Sequence, residues 1–306
     1  MPEQRLRFDD RVAIVTGAGQ GLGRSHALGL AARGARIVVN DVGAALDGRG
    51  SVTTAAERVV AEIGALGGDA IADGADITDF AQVTGMVERA VARWGRVDIL
   101  VNNAGILRDK SFAKMELSDF RAVLDVHVMG AVHCTKAVWE TMRAQNYGRI
   151  VFTSSSSGLY GNFGQANYGA AKAAMVGLMN VLHQEGLKSD IRVNILSPTA
   201  ATRMTESFLP GEDKALLTPE SVTPGLLYLA SEEAPSRVIL CAGAGCFARA
   251  AIYETEGIYL SEGERTPEAI AQRFEEISSQ AGQTQLTDAW SQTKRYVAKA
   301  RSMGKR

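Results

Sequence analysis

The sequence predicts an α/β protein with a doubly wound, parallel, seven-stranded sheet, followed by a helical C-terminal extension. Three observations predict this fold. Short β-branched runs alternate with longer Ala-rich segments, a glycine-rich turn follows the first run, and an acid ends the second. Because a helical crossover forces its flanking strands to be parallel, the alternation indicates helices on both faces of one sheet.

Seven runs are predicted strands, and the segments between them are long enough for helices. The strands cover residues 12–16, 36–41, 70–76, 97–101, 149–154, 191–197 and 237–241, and helices are expected at 21–33, 51–66, 79–94 and 165–187. From about Glu254 the strand pattern stops, and Thr266-Pro267-Glu268 is typical of a helix start. We therefore predict a dinucleotide-binding domain over 1–253 and a helical extension over 254–306, packed on the core or trailing from it.

The composition argues against several classes of protein. The chain is 46% hydrophobic and 22% charged with a net charge of -1, unlike a disordered chain or a basic nucleic-acid-binding domain. Three scattered cysteines and four histidines without zinc-type spacing predict neither disulfides nor a metal site. A run of basic residues near the C-terminus is interpreted as solvated rather than as a site for a coenzyme A phosphate.

The sequence also predicts the cellular compartment of the protein. Residues 1–10 are polar where a signal peptide would be apolar, and no apolar run is long enough for a membrane span. The last residues, Gly304-Lys305-Arg306, do not match the Ser-Lys-Leu type of peroxisomal targeting signal. We therefore expect a cytoplasmic protein with no nucleic-acid or membrane partner.

A glycine-rich loop after the first predicted strand points to a dinucleotide. It reads Gly17-Ala18-Gly19-Gln20-Gly21-Leu22-Gly23 and precedes an Ala-rich helix. Glycine lets the backbone approach a pyrophosphate at a helix N-terminus, because a Cβ would hold the phosphate away. The loop therefore predicts a Rossmann-type fold in which Gly17, Gln20, Gly21, Leu22 and Gly23 bind the cofactor.

Asp41 predicts which dinucleotide is bound. It lies 20 residues after Gly21, at the end of the second predicted strand. An acid there accepts hydrogen bonds from the adenosine ribose hydroxyls and repels the extra phosphate of NADP. Because neither Gln20 nor Val42 supplies a compensating positive charge, NAD is the predicted cofactor. The alternative is that Asp41 is an ordinary turn acid.

Two further strand ends fall on the same predicted edge. Asp76 can accept from the adenine amino group while Ile77 covers the ring. Asn102-Asn103-Ala104-Gly105 follows the fourth strand. We predict cofactor contacts for Asn103, Ala104 and Gly105, with Gly105 leaving room for a ribose. A purely structural, loop-capping role for the asparagines stays open beside this interpretation.

Tyr168, Lys172 and Ser155 are the predicted catalytic residues. Ketone reduction needs a proton donor at the oxygen as hydride arrives. Tyr168 and Lys172 are four residues apart, hence on one helix face, and the ammonium is expected to lower the tyrosine pKa and to hold the nicotinamide ribose. Ser155, at a strand end thirteen residues earlier, can hydrogen-bond the reacting oxygen. A Tyr-x-x-x-Lys pair alone is more often a helix-surface contact; the neighbouring motifs favour catalysis.

Together these motifs resemble the short-chain dehydrogenase/reductase family over about Arg11 to Gly245. The run Gly161 to Tyr168 is similar, more narrowly, to the (3R)-hydroxyacyl-CoA dehydrogenase region of peroxisomal multifunctional enzymes of type 2, a group also classed with 17β-hydroxysteroid dehydrogenases. The resemblance implies NAD-dependent oxidoreduction of a (3R)-3-hydroxyacyl-CoA ester or a steroid alcohol in lipid or steroid breakdown. It also implies a homodimer or homotetramer formed through helices at 117–145 and 165–187.

The sequence departs from the family pattern at two places. His127 occupies the slot where most of the family has an asparagine that completes a water relay. Both a buried histidine bonded to backbone and a proton-relay residue stay open here. The family's Pro-Gly after the sixth strand is Pro198-Thr199. Pro198 is predicted to line the cofactor site, and Thr202 to hydrogen-bond the cofactor carboxamide.

Two other functions fit the same motifs. One is a short-chain dehydrogenase for an unrelated ketone or sugar. The other is a non-catalytic NAD-binding regulator, which the presence of both Tyr168 and Lys172 disfavours.

Overall fold

The computed structural model describes residues 6–43, 54–201 and 211–303. Within these residues eight strands form one sheet in the order β3-β2-β1-β4-β5-β6-β7-β8. The strands are β1 (Val12–Thr16), β2 (Arg36–Asn40), β3 (Ala70–Asp73), β4 (Ile99–Asn102), β5 (Gly148–Thr153), β6 (Ile191–Pro198), β7 (Ile239–Gly243) and β8 (Cys246–Ala250). The first seven pair in parallel, which confirms the predicted doubly wound fold.

The sheet has one strand more than the sequence predicted. β8 follows β7 after a two-residue turn, Ala244-Gly245, in which both residues have positive φ, 50° and 75°. This combination is typical of the tight turns that join hairpin strands. Because residues 246–249 are all exposed and two of the five strand residues are alanines, β8 carries neither the burial pattern nor the residue preference of a strand.

Helices cover both faces of the sheet. They are α1 (Gly21–Ala31), α2 (Thr54–Ala65), α3 (Phe80–Trp94), α4 (Leu117–Leu124), α5 (Gly130–Gln145), α6 (Ser156–Tyr160), α7 (Ala166–Gly186), α8 (Gly211–Leu216) and α9 (Pro219–Ala230). Local chemistry sets several of these bounds. The Asp79 side chain caps α3, and Gly95, with a φ of 77°, ends it.

The predicted helix over 117–145 is interrupted. α4 and α5 are joined by one π-helical turn, Asp125–Met129, which contains His127. Such turns insert an extra residue into a helix and often occur at functional sites.

The core lies along the central strands. β1, β4 and β5 are buried at every residue, and β2 at all but its first. Burial on both faces is what a parallel sheet between two helical layers requires. Each buried Val, Ile or Leu contributes about 1.5–3 kcal/mol relative to an exposed one. The carboxyl ends of these strands are therefore firm supports for the loops that follow them.

The chain divides into two compact units that meet in sequence at Arg249 and Ala250. The second contains α10 (Pro267–Gln272), α11 (Phe274–Ile277) and α12 (Ala289–Met303). In α12 both Arg295 and Lys299 pair with Glu256, so part of the basic run is neutralised within this unit. The assignment of the units as domains stays a prediction. No helix among the described residues is long and apolar enough to span a membrane.

Candidate active site

One cavity of about 790 Å³ lies at the carboxyl ends of the central strands, a volume typical of small-molecule sites. It brings together nearly all the predicted site residues. Its lining includes Gly17, Gln20, Gly21, Leu22, Gly23, Asp41, Asp76, Ile77, Asn103, Ala104, Gly105, Ser155, Tyr168, Lys172 and Pro198. Thr202 lies outside the described residues.

The glycine loop is shaped by close contacts with its own neighbours. Gly17 has a φ of 62°, and a Cβ on it would lie 2.8 Å from the Cα of Ala104. A Cβ on Gly23 would lie 2.2 Å from the carbonyl oxygen of Gly17. These glycines are therefore required by packing alone, and the loop they form opens onto the N-terminus of α1, whose free amides favour an anion.

Asn103 binds the glycine loop to the loop after β4. Its Nδ2 donates to the carbonyl oxygens of Thr16 (2.9 Å) and Gly17 (3.1 Å). The backbone amides of Asn103 and Ala104 both donate to the Thr16 hydroxyl, at 3.0 and 3.1 Å. The side chain thus has the loop-capping role left open above, and its contact with a cofactor stays a prediction.

Asp41 presents a carboxylate of fixed orientation to the cavity. One oxygen accepts from the Gly19 amide at 2.8 Å and the other from the Gly43 amide at 2.7 Å. A carboxylate has about four acceptor positions, so it can still accept from two ribose hydroxyls. The free amides at α1 and this oriented acid fit the phosphate and ribose groups of a dinucleotide.

Asp76 and Ile77 lie together beyond Asp41. One Asp76 oxygen accepts from the Thr78 amide (2.9 Å) and hydroxyl (2.8 Å). Ile77 is buried, and its carbonyl oxygen lies 2.9 Å from His133 Nδ1. The sequence did not single out five further residues from 122–133 that line the cavity: Ala122, Asp125, Val126, Met129 and His133. Their helical spacing is the signal that would have found them.

The predicted catalytic residues converge at the other end of the cavity. Ser155 caps α6, accepting from the Ser157 amide at 3.2 Å. Tyr168 and Lys172 lie on successive turns of α7, with Lys172 Nζ 5.5 Å from the centre of the tyrosine ring. Lys172 is almost fully buried, and its Nζ donates to the carbonyl oxygen of Thr153 at 2.7 Å.

The expected lowering of the Tyr168 pKa is wrong in sign. Burial raises the pKa of Tyr168 to about 12, and a hydrogen bond with Ser155 opposes the rise. Burial also lowers the pKa of Lys172 to about 7, so the ammonium expected to stabilise a phenolate is itself destabilised. Tyr168 is therefore a neutral phenol near pH 7, which is the form that donates a proton.

His127 adopts the backbone-bonded arrangement. Its Nε2 lies 2.8 Å from the carbonyl oxygen and 3.1 Å from the amide nitrogen of Ile106, and its ring meets the Tyr168 ring edge-on. Burial lowers its pKa well below the ordinary value, so it is neutral. A Cβ on Gly105 would lie 2.2 Å from the His127 ring. That side of Gly105 therefore accommodates the imidazole rather than the predicted ribose.

The fold and cavity define a nucleotide-binding α/β protein, with a phosphate loop and an acidic strand end on adjacent parallel strands. A sequence profile of the short chain dehydrogenase family matches residues 11–213, and the chain belongs to this family. It is accordingly an oxidoreductase that acts on CH–OH groups and uses a nicotinamide cofactor.

Similar proteins support the narrower resemblance. The chain is 45% identical to peroxisomal multifunctional enzyme A of Dictyostelium discoideum over 275 residues, 90% of this chain and 61% of that protein. A structure of full-length peroxisomal multifunctional enzyme type 2 from Drosophila melanogaster matches with a TM-score of 0.79 and 35% identity, covering 96% of this chain and 49% of that one. The resemblance to multifunctional enzymes is thus confirmed.

A further similar structure is 7α-hydroxysteroid dehydrogenase complexed with NADH and 7-oxo glycochenodeoxycholic acid. Its TM-score is 0.72 at 31% identity, with 80% of this chain and 97% of that chain covered. The chain spans only 61%, 30% and 38% of three of its curated multifunctional relatives. Similarity therefore extends to one part of those longer proteins.

Proposed function

We propose that the protein is an NAD-dependent dehydrogenase that interconverts a (3R)-3-hydroxyacyl-CoA ester and its 3-keto form. Ser155, Tyr168 and Lys172 are its proposed catalytic residues. The observation that carries the proposal is their convergence at one end of a cavity whose other end presents Asp41 and the glycine loop. The similarity to multifunctional enzymes favours the acyl ester as substrate class.

The proposed chemistry divides one reduction between hydride and proton. A bound nicotinamide supplies the hydride, or accepts it in the reverse direction. In reduction, Tyr168 donates its proton to the carbonyl oxygen as the carbon gains hydride, so the ketone gains two electrons that the cofactor loses. Ser155 donates a hydrogen bond to the same oxygen, and Lys172 holds the ribose. In oxidation Tyr168 takes the proton back.

Asp41 supports NAD rather than NADP as the coenzyme. Backbone amides hold both carboxylate oxygens, so the side chain is not free to turn away from a phosphate on the adenosine ribose. Close approach of two negative charges costs about 1 kcal/mol or more at a partly solvated site. The presence of NADH in a similar structure agrees with this assignment.

A steroid alcohol is the second candidate substrate. The observation that favours it is the structural match to a hydroxysteroid dehydrogenase holding a bile-acid ketone. Both candidates place a secondary alcohol carbon against the same three residues, so the chemistry is shared and only the remainder of the substrate differs.

Homo-oligomerisation is proposed from exposed apolar side chains on the predicted interface helices. Leu117 begins α4, Val181 lies on α7 and Leu187 follows it, and all are at least half exposed. Pairing these faces between copies would remove apolar surface from water. Light scattering of the purified protein tests this, and a monomer at micromolar concentration would contradict it.

The cytoplasm is the proposed compartment. All three cysteines are free, as expected under reducing conditions. Several relatives are named as peroxisomal, so fluorescence microscopy of the tagged full chain must distinguish the two compartments. Accumulation in an organelle would contradict the proposal.

The deciding experiment follows the absorbance of reduced nicotinamide while the protein is offered a panel of ketones. The panel contains a 3-ketoacyl-CoA, a 17-ketosteroid, a simple ketone and a keto sugar, each with NADH and with NADPH. We expect oxidation of NADH, fastest with the acyl-CoA ester. Preference for the steroid would select the second candidate. Activity only with the other ketones would reject both substrates, and NADH binding without turnover would indicate a regulator.

A further inference from the structure

The segment after the Asn-Asn-Ala-Gly turn is hydrogen-bonded to the residues just before Tyr168, in antiparallel order. Lys110 N donates to Gly164 O at 3.0 Å, Gln165 Nε2 donates to Asp109 Oδ2 at 2.6 Å, and Asn167 Nδ2 donates to Arg108 O at 2.9 Å. We call residues 108–110 and 164–167, joined in this way, the clamp. It connects the cofactor-binding turn with the helix that carries Tyr168 and Lys172.

Asn167 acts directly on the backbone of Tyr168. It is fully buried, and while its Nδ2 bonds to Arg108, its Oδ1 accepts from the Tyr168 amide at 2.7 Å. Both ends of one rigid amide are therefore used. The start of α7 cannot shift along the 108–110 segment without breaking a hydrogen bond of the buried Asn167 side chain.

Gln165 extends the clamp to the helix that Ser155 caps. Its Oε1 accepts from the Ser157 hydroxyl at 2.7 Å and from Asn162 Nδ2 at 3.1 Å, while its Nε2 bonds to Asp109. Ser157 is the residue whose amide donates to the Ser155 hydroxyl. Gln165 therefore links the Asp109 carboxylate both to α6, which Ser155 caps, and to α7, which carries Tyr168.

We propose that Asn167 and Gln165 are positioning residues that fix the Tyr168 and Ser155 hydroxyls relative to the cofactor-binding turn. This inference rests on the proposed function. Reaction rates depend steeply on such alignment, because a displacement of about 1 Å can reduce turnover about 100-fold.

Three groups face Tyr168: Ser155 from the start of α6, Lys172 on the next turn of α7, and His127 from the π-helical turn. Burial raises the pKa of Tyr168, and a hydrogen bond with Ser155 opposes that rise. Displacement of Ser155 from Tyr168 would therefore raise the tyrosine pKa further.

The positioning test first breaks the hydrogen bond between Gln165 and Asp109. It then restores the bond by exchanging the amide and the carboxylate between the two positions. Gln165→Glu places a carboxylate against Asp109, and we expect kcat to fall about tenfold or more with KM for NAD within about twofold. In the double variant Asp109→Asn with Gln165→Glu, the new amide can donate to the new carboxylate, so kcat should recover to within about threefold. Asn162→Ala is the matched control, because Asn162 bonds to Gln165 but is exposed and outside the segments joined by the clamp.

Unchanged kcat in Gln165→Glu, or no recovery in the folded double variant, would overturn the positioning role. Thermal melting of each variant separates misfolding from misalignment, and Gln165→Met, which removes the bond without adding charge, provides a second route to the same loss. A purely structural role would lower the melting temperature without the reciprocal rescue of kcat.

A readout without substrate separates the positioning role from the proposed function. The tyrosinate absorbance of the NAD-bound protein, minus that of the matching variant with Tyr168→Phe, reports the ionisation of Tyr168. Gln165→Met should move this titration to higher pH, because it displaces Ser155 from Tyr168, and Asn162→Ala should leave it unmoved. An unmoved titration in folded Gln165→Met would overturn the positioning role, even if the ketone panel shows no activity and the proposed function fails.

Discussion

The two ends of the cavity differ in the groups that form them: mainly backbone at the cofactor end and mainly side chains at the reaction end. At the cofactor end, backbone amides and glycine contacts form the surface, and the Asp41 side chain is itself held by two amides. At the reaction end, side chains form nearly everything: Tyr168, Lys172, His127 and the clamp around them. Backbone geometry is set locally by glycine and by strand ends, whereas a side-chain cluster depends on segments far apart in sequence.

This difference predicts different consequences of substitution. Changes at the reaction end should lower turnover, because buried groups there set proton transfer. Changes at the cofactor end should alter selectivity or local packing.

After loss of the Tyr168 hydroxyl itself, the largest effect is expected for Lys172→Met. It keeps an apolar chain of similar length but removes the Nζ bonded to Thr153, and kcat/KM should fall about 100-fold or more. Steady-state kinetics with NAD measures this. A loss of less than about threefold would show that Lys172 is only a packing residue.

Gly105→Ala, on the cofactor-binding turn, should displace His127 and through it Tyr168. The new Cβ would lie 2.2 Å from the His127 ring, which in turn touches Tyr168. We expect a loss of about 1–3 kcal/mol in unfolding free energy and a lower kcat. Gly64→Ala in the last turn of α2 is the matched control, because its Cβ meets nothing within 4 Å and an alanine there should not lower the unfolding free energy. Equal stability of both variants in chemical denaturation would contradict this.

Asp41→Ala should alter selectivity with little effect on turnover. Removing the charge should decrease the preference for NAD over NADP about tenfold, or about 1.4 kcal/mol. The ratio of kcat/KM for the two coenzymes measures it. If the ratio stays as in the wild type, another group selects the coenzyme.

The smallest effect concerns His26 on α1, behind the glycine loop. It is fully buried beside Thr223, and burial lowers its pKa to about 3. Because the folded pKa lies below the unfolded value of about 6.5, His26 stabilises the fold above that pH and this contribution is lost as pH falls. Between about pH 7.5 and about pH 5.8 the loss is about 1 kcal/mol. His26→Gln should show a shallower decline in unfolding free energy; an identical decline would contradict the assignment.

The cofactor end was largely predictable from sequence. Gly17 to Gly23, Asp41 and Asn103 follow predicted strands, and parallel strands place their carboxyl ends on one edge. β8 was missed because its residues are exposed, and the π-helical turn because the helical pattern over 117–145 is continuous around it. Neither feature changes the residues that line the strand ends.

The reaction end was predictable only in its residue types. Spacing placed Tyr168 and Lys172 on one helix face, but the sign of the tyrosine pKa depends on burial, which spacing does not contain. The clamp joins residues more than 50 positions apart through side-chain amides, so no local sequence pattern predicts it. It was visible only in the folded chain.

The most direct test of the central claim is the turnover of Tyr168→Phe with NAD and the preferred substrate, measured beside its NAD affinity. Because only the hydroxyl is removed, kcat should fall about 10²- to 10⁴-fold, while the dissociation constant for NAD changes less than about threefold. Wild-type turnover in this variant would contradict the assignment of Tyr168 as the proton donor and, with it, the account of the reaction end.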